Sequence, residues 1–96
     1  MFRKKYKTQK AICTIADRAA NPKPGSYTNY LLDKGVEKIC KKVGEEATEA
    51  VIAAMKNDAD GLAGEAADLL YHLAVLLHAQ GVTMQDVWDV LKKRHT

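Results

Sequence analysis

Glu46 and Glu49 are three residues apart, and so are Glu65 and Asp68. On an α-helix that spacing stacks two side chains on one face about one turn apart, so each segment carries a carboxylate pair. If the two helices lie side by side, four carboxylates converge, and bare anions that close repel strongly in a partly dry site. A divalent cation removes that cost. Oxygen ligands suit Mg2+ or Mn2+, and Mg2+ usually sits between a few carboxylates and the oxygens of a substrate phosphate. Lys42 lies one turn before Glu46, and Lys38 one turn before Lys42. An ammonium beside a carboxylate-held Mg2+ is what a polyphosphate substrate requires, although the same spacing equally describes an i,i+4 salt-bridge row.

Asp68 is the sharpest of these acids. The section from Ala66 to Leu77 is apolar nearly all round, with Asp68 and His72 as the exceptions. A charge inside such a section costs on the order of several kcal/mol unless it is paired or bound to metal. Pairing of Asp68 with Lys42 or His72 is the structural alternative, and it leaves Glu46, Glu49 and Glu65 unexplained. His72 itself reads as a hydrogen-bonded core histidine or as a ligand or proton shuttle.

The elements that must position these residues are helical. Apolar positions Ala11, Ile12, Ile15, Ala16 and Ala19 predict an amphipathic helix from about Thr8 to Ala20, ended by Asn21-Pro22-Lys23-Pro24-Gly25. Ser26 caps a short helix through Leu31 and Leu32 that closes at Gly35. From Val36 to about Met55, the residues Val36, Ile39, Cys40, Val43, Ala47, Ala50, Val51 and Ala54 form a stripe that faces a core. At about 100° per residue, Glu46 falls on the margin of that stripe, with Lys42 and Glu49 beside it. Lys56-Asn57-Asp58-Ala59-Asp60 reverses the chain, with Asp58 as cap of a helix running to about Gln80 and stopping at Gly81. Because that helix lacks a wet side, and so short a chain can hardly cover it alone, the sequence implies an oligomer. Thr83 and Asp86 predict a capped last helix, with Val87, Val90 and Leu91 packing inward and Lys92, Lys93 and Arg94 at its C-terminal dipole.

Composition bounds the class. Ninety-six residues with 47% hydrophobic and 28% charged content make one ordinary globular domain, and Ala, Leu, Lys and Glu with only two prolines favour helix. Aromatic content of 6% argues against a platform for stacking nucleic-acid bases. Net charge is +3, and Arg3, Lys4, Lys5, Lys7 and Lys10 crowd the N-terminus. Residues 1–7 read as a solvated leader rather than a nucleic-acid contact. Cys13 and Cys40 have no ligand-like spacing, which fits a reducing cytoplasm. No apolar run follows the leader as a signal peptide requires, and Leu69 to Leu77 is too short to span a bilayer.

Ser26-Tyr27-Thr28, then Gly35, then Lys42-Val43-Gly44-Glu45-Glu46-Ala47-Thr48-Glu49, then Glu65-Ala66-Ala67-Asp68-Leu69-Leu70-Tyr71-His72-Leu73, resemble the phosphoribosyl-ATP pyrophosphatase family, from about Ile12 to Arg94. The wider MazG-like all-α nucleotide pyrophosphatases share only the looser EExxE and ExxD pattern. The resemblance implies an all-α bundle of four to five helices over residues 8–96, completed by homodimerisation. It implies hydrolysis of phosphoribosyl-ATP to phosphoribosyl-AMP and pyrophosphate in histidine biosynthesis. By position, it implies Mg2+ held by Glu46, Glu49, Glu65 and Asp68, with Mn2+ a substitute, and phosphate contacted by Lys42. Ser26, Tyr27 and Thr28 would hold the nucleotide or shape its site, and Glu45 would orient a water or a second ion. Apart from the resemblance, basic side chains such as Lys38, Lys42 or Arg94 are candidates to assist with the ribosyl-phosphate arm, and a nearby carboxylate, Glu45 or Glu49, is the candidate to take a proton from the attacking water. Some relatives carry a fused cyclohydrolase domain, which this sequence does not show.

No GxxxxGK[ST] loop and no Ser/His/Asp set is present, so a P-loop or covalent route is not expected. Two rival readings remain: a house-cleaning pyrophosphatase for other nucleoside triphosphates with the same metal site, and a non-catalytic helical dimerisation or nucleic-acid-binding module.

Overall fold

The computed structural model describes residue 15 and residues 17–95, and all regular structure among them is helical. The basic leader, its boundary near residue 8 and most of the helix expected from Thr8 lie outside the described residues. Residues 15 and 17–20 form the described part of α1. Four further helices follow: α2 (Tyr27–Lys34), α3 (Val36–Met55), α4 (Ala59–Ala79) and α5 (Met84–Arg94).

The joints between helices are built from short-range hydrogen bonds that the sequence spells out. After α1, the proline-containing linker is stitched down by Asn29, whose Oδ1 accepts the Lys23 N–H at 2.9 Å and whose Nδ2 donates to the Arg18 carbonyl at 2.6 Å. Ser26 Oγ accepts the Asn29 N–H and caps α2. Gly35, at φ 90° and ψ −179°, donates to the Leu31 carbonyl and leads directly into α3. That backbone region is essentially reserved for glycine.

The turn between α3 and α4 is specified twice. Asn57 adopts φ 57° and donates to Ala54, while Asp58 donates to Ala53, which is the two-bond helix stop of a Schellman motif. Asp58 then caps α4 through its Oδ1, which accepts the Gly61 N–H at 2.9 Å. Its carboxylate lies so close over Gly61 that a Cβ there would push the capping group aside. At the far end of α4, Gly81 and Val82 make the same two-bond stop with His78 and Leu77. A reciprocal Thr83–Asp86 capping box starts α5.

α3 and α4 form a helical hairpin that carries most of the packing, and α2 lies against both. Ile15, Leu31, Ile39 and Val75, one from each of four helices, make the fully buried core. On α3 the buried positions are Ile39, Glu46 and Ala53. They are seven residues apart, so the seam runs along a heptad line. This corrects the expectation for Glu46, which lies at the centre of the buried face with 7% exposure rather than on its margin.

Other apolar residues are less covered than their patterning suggests. Val51, Cys40 and Ala54 are exposed on α3, and Leu70 (58% exposed) and Leu73 are exposed on α4. In α5 no residue is buried, and Val90 and Leu91, expected to pack inward, are exposed. Within one chain the described helices leave these faces partly uncovered, and a domain this small covers only part of its apolar surface. Among the described residues, no helix is long and apolar enough to cross a membrane.

Candidate active site

The hairpin brings carboxylates from both of its arms together. Ligand atoms of Glu46 and Glu49 on α3 and Glu65 on α4 all lie within 4.8 Å of one another. Glu46 is buried, Glu65 half-buried and Glu49 exposed. Glu46 Oε2 and Glu65 Oε2 are both shielded from solvent without a hydrogen-bond partner. Buried polar atoms are almost always satisfied in native proteins, so these two oxygens are available to accept a cation or a shared proton.

The electrostatics agree. A proton on Glu65 can be shared with Glu49 and then Glu46, and this, with partial burial and the repulsion of both carboxylates, pushes Glu65 up to about 7 from an ordinary 4.5. Without a cation, the group relieves its repulsion by holding a proton. An all-oxygen set of three clustered carboxylates fits a hard divalent ion of the Mg2+ or Mn2+ kind.

Lys42 borders this group. Its Nζ lies 3.6 Å from Glu46 Oε1 and 3.6 Å from Glu45 Oε2. Burial pulls the Lys42 ammonium down, but Tyr27, Glu45 and Glu46 outweigh it and hold the pKa above the usual lysine value. Lys42 therefore stays charged at the rim of the acids. Lys38 is half-buried and makes no ion pair among the described residues.

Asp68 departs from expectation. It is exposed and lies outside the group of three, one turn along α4 from Glu65. The penalty for a buried charge therefore does not apply to its side chain in the single chain, because the apolar side of α4 around it is itself uncovered. Its backbone carbonyl, not its carboxylate, is what His72 binds, at 2.7 Å from Nδ1.

The Ser26-Tyr27-Thr28 corner sits at the start of α2 against α4. Ser26 spends its hydroxyl on the helix cap. Thr28 is buried, with Oγ1 hydrogen-bonded to the Tyr71 hydroxyl. Tyr27 is half-exposed, bonds His72 Nε2 through its hydroxyl at 2.8 Å, and stacks on Tyr30 and Tyr71 with centroids 6.0 and 6.2 Å away. Burial pushes the Tyr27 hydroxyl pKa up, against the opposing pull of Lys42.

A cleft of about 230 Å3 opens beside the acids, lined by Glu49 and Glu65 and closed at the turn by Lys56, Asp58 and Gly61. Lys56 escaped the sequence reading, where it was only part of a polar turn. Its place is legible only once the Schellman stop folds that turn back to line the same cleft as Glu65. Asn29 was missed too, since an asparagine in a first helical turn gives no sign of what its side chain will reach.

Residues 9–95 match the family described as phosphoribosyl-ATP pyrophosphohydrolase. The chain belongs to that family. Among its relatives is the phosphoribosyl-ATP pyrophosphatase of Streptococcus thermophilus, 62% identical over 78 residues, which are 81% of this chain and 75% of that protein. The phosphoribosyl-ATP pyrophosphatase of Limosilactobacillus fermentum is 56% identical over 80 residues, covering 83% of this chain and 76% of the relative. A histidine biosynthesis bifunctional protein of Bacillus subtilis is 58% identical over 82 residues, 85% of this chain but only 39% of its own length. The chain thus spans about two fifths of the bifunctional relative and three quarters of the shorter ones.

Proposed function

We propose that this chain is a phosphoribosyl-ATP pyrophosphatase of histidine biosynthesis, which releases pyrophosphate from phosphoribosyl-ATP by Mg2+-assisted attack of water. The observation that carries the reading is the convergence of Glu46, Glu49 and Glu65 with two orphaned oxygens, in a chain whose family match covers residues 9–95. Glu46, Glu49 and Glu65 would hold the cation, with Asp68 offered as a fourth acid from the next turn of α4. When bound, such an ion neutralises charge on the phosphoryl oxygens and acidifies a coordinated water.

The chain's own residues supply the rest. Lys42 is held at 3.6 Å by Glu45 and Glu46, long enough that a phosphate oxygen competes for its ammonium. Once Lys42 turns to phosphate, the exposed Glu45 carboxylate is released. Either it or Glu49 takes the proton of the attacking water. The water oxygen bonds to phosphorus in the linkage between the α and β phosphorus atoms, the bond to the leaving oxygen breaks, and pyrophosphate departs. Tyr27 and Ser26 flank the nucleotide, Lys38 assists with its phosphates, and buried Thr28 shapes the corner.

A second copy of the chain would cover the apolar residues left exposed, among them Val51, Ile52 and Met55 on α3 and Leu70 and Leu73 on α4. A homodimer is therefore part of the reading, and a cytoplasmic setting suits the reaction. Mg2+-dependent pyrophosphate release from phosphoribosyl-ATP, compared with ATP, dUTP and dCTP, tests it. Phosphoribosyl-ATP is expected to be the preferred substrate, and a preference for dUTP or dCTP moves the assignment to the house-cleaning pyrophosphatases.

A further inference from the structure

His72 is 5% exposed, and both of its ring nitrogens are engaged. Nδ1 lies 2.7 Å from the Asp68 carbonyl oxygen, and Nε2 lies 2.8 Å from the Tyr27 hydroxyl oxygen. A carbonyl oxygen only accepts, so Nδ1 carries a proton. In the neutral ring, Nε2 is then a lone pair and the Tyr27 O–H donates to it. This fixes the polarity of a half-exposed tyrosine at the edge of the site. Its one proton is committed inward, which leaves the hydroxyl oxygen only lone pairs to offer a further partner.

The surroundings hold that arrangement in place. Tyr27 sits edge-on to His72 with centroids 5.6 Å apart, and Tyr71 meets the same imidazole at 5.4 Å. Thr28 and Tyr71 make the neighbouring bond, so two consecutive residues of α2 are bonded to two consecutive residues of α4. The corner cannot swing without breaking both bonds.

We infer that His72 is a positioning residue for nucleotide recognition: by taking the Tyr27 hydroxyl proton inward, it makes Tyr27 an acceptor for a hydrogen-bond donor of the nucleotide, not for a phosphate oxygen. The inference rests on the reading of this site as a nucleotide pyrophosphatase site. His72 itself touches no substrate and acts through Tyr27.

Two replacements separate the two nitrogens. His72→Asn keeps a donor for the Asp68 carbonyl but is too short to reach Tyr27, whereas His72→Gln extends an acceptor to the Tyr27 hydroxyl. Steady-state kinetics on phosphoribosyl-ATP are expected to show KM raised about fivefold in Tyr27→Phe and in His72→Asn, the loss of about one hydrogen bond, with kcat within about twofold. His72→Gln stays near wild type, and the double variant His72→Asn/Tyr27→Phe is no worse than either single one. Wild-type KM in His72→Asn, an equal loss in His72→Gln, or multiplied losses in the double variant each overturn the proposal. If the wild type prefers another triphosphate, the functional reading fails, and the same cycle on that preferred nucleotide still decides the role of His72.

Discussion

Glu46 and Glu65 face each other across the α3–α4 hairpin, and each keeps a carboxylate oxygen buried with no partner. A chain selected only for stability has no use for this pairing, because like charges in a shielded site repel. The turn that imposes it is firmly built, with Asp58 serving both as the stop of α3 and as the cap of α4. The hairpin thus holds an electrostatic penalty in place, which a shared proton or a bound cation would relieve.

Glu65→Gln is expected to separate stability from function. At pH 8 the metal-free variant melts at a higher temperature than the metal-free wild type, because one repelling charge is gone. At pH 4.5 the two melt alike. Pyrophosphate release falls by at least about a hundredfold, as for loss of a group that stabilises developing charge. Thermal melts with excess chelator, alongside a pyrophosphate assay, check both halves.

Metal binding is expected to depend on pH with a defined sign. The folded-state pKa of Glu65 is raised to about 7, above its ordinary 4.5, so folding takes up a proton in that interval. The resulting contribution to metal-free stability is fully present below about 4.5 and is lost as pH rises through about 7. A cation must displace that proton, so Mg2+ affinity rises between pH 5.5 and 8 and binding releases a proton near pH 7. Calorimetric titrations of Mg2+ in two buffers of different ionisation enthalpy measure that proton directly.

Gly35→Ala is expected to destabilise the fold although nothing lies within 4 Å of the added Cβ. The cause is the backbone, at φ 90° and ψ −179°, which costs a side-chain-bearing residue about 1–3 kcal/mol. In a domain of this size each kcal/mol lowers Tm by about 4–8 °C. Because Gly35 sets the angle between α2 and α3, the fall in Tm comes with a raised KM for the nucleotide.

Leu70→Lys tests the second copy. Leu70 is 58% exposed in the single chain, so a lysine there is tolerated by an isolated protomer. Buried against a partner, the ammonium weakens self-association by at least about tenfold, or ~1.4 kcal/mol. Light scattering after size exclusion should show the dimer replaced by monomer, with helical circular dichroism retained.

Sequence alone determined the helices and their joints. Ser26, Gly35, Asp58, Gly81 and the Thr83–Asp86 box all act where they were expected, because capping is chemistry between residues three to five apart. The i,i+3 spacing of Glu46 and Glu49 was legible for the same reason. Tertiary structure alone decided burial and partnership. Glu46 moved from the margin to the centre of the seam, Asp68, Val90 and Leu91 proved exposed, and Lys56 came to line the same cleft as Glu65. Those outcomes depend on which helix covers which face, a relation between distant segments that periodicity within one helix does not contain. The same holds for His72: its place on α4 was plain, but that its imidazole directs the Tyr27 hydroxyl, 45 residues away in the chain, is a consequence of packing.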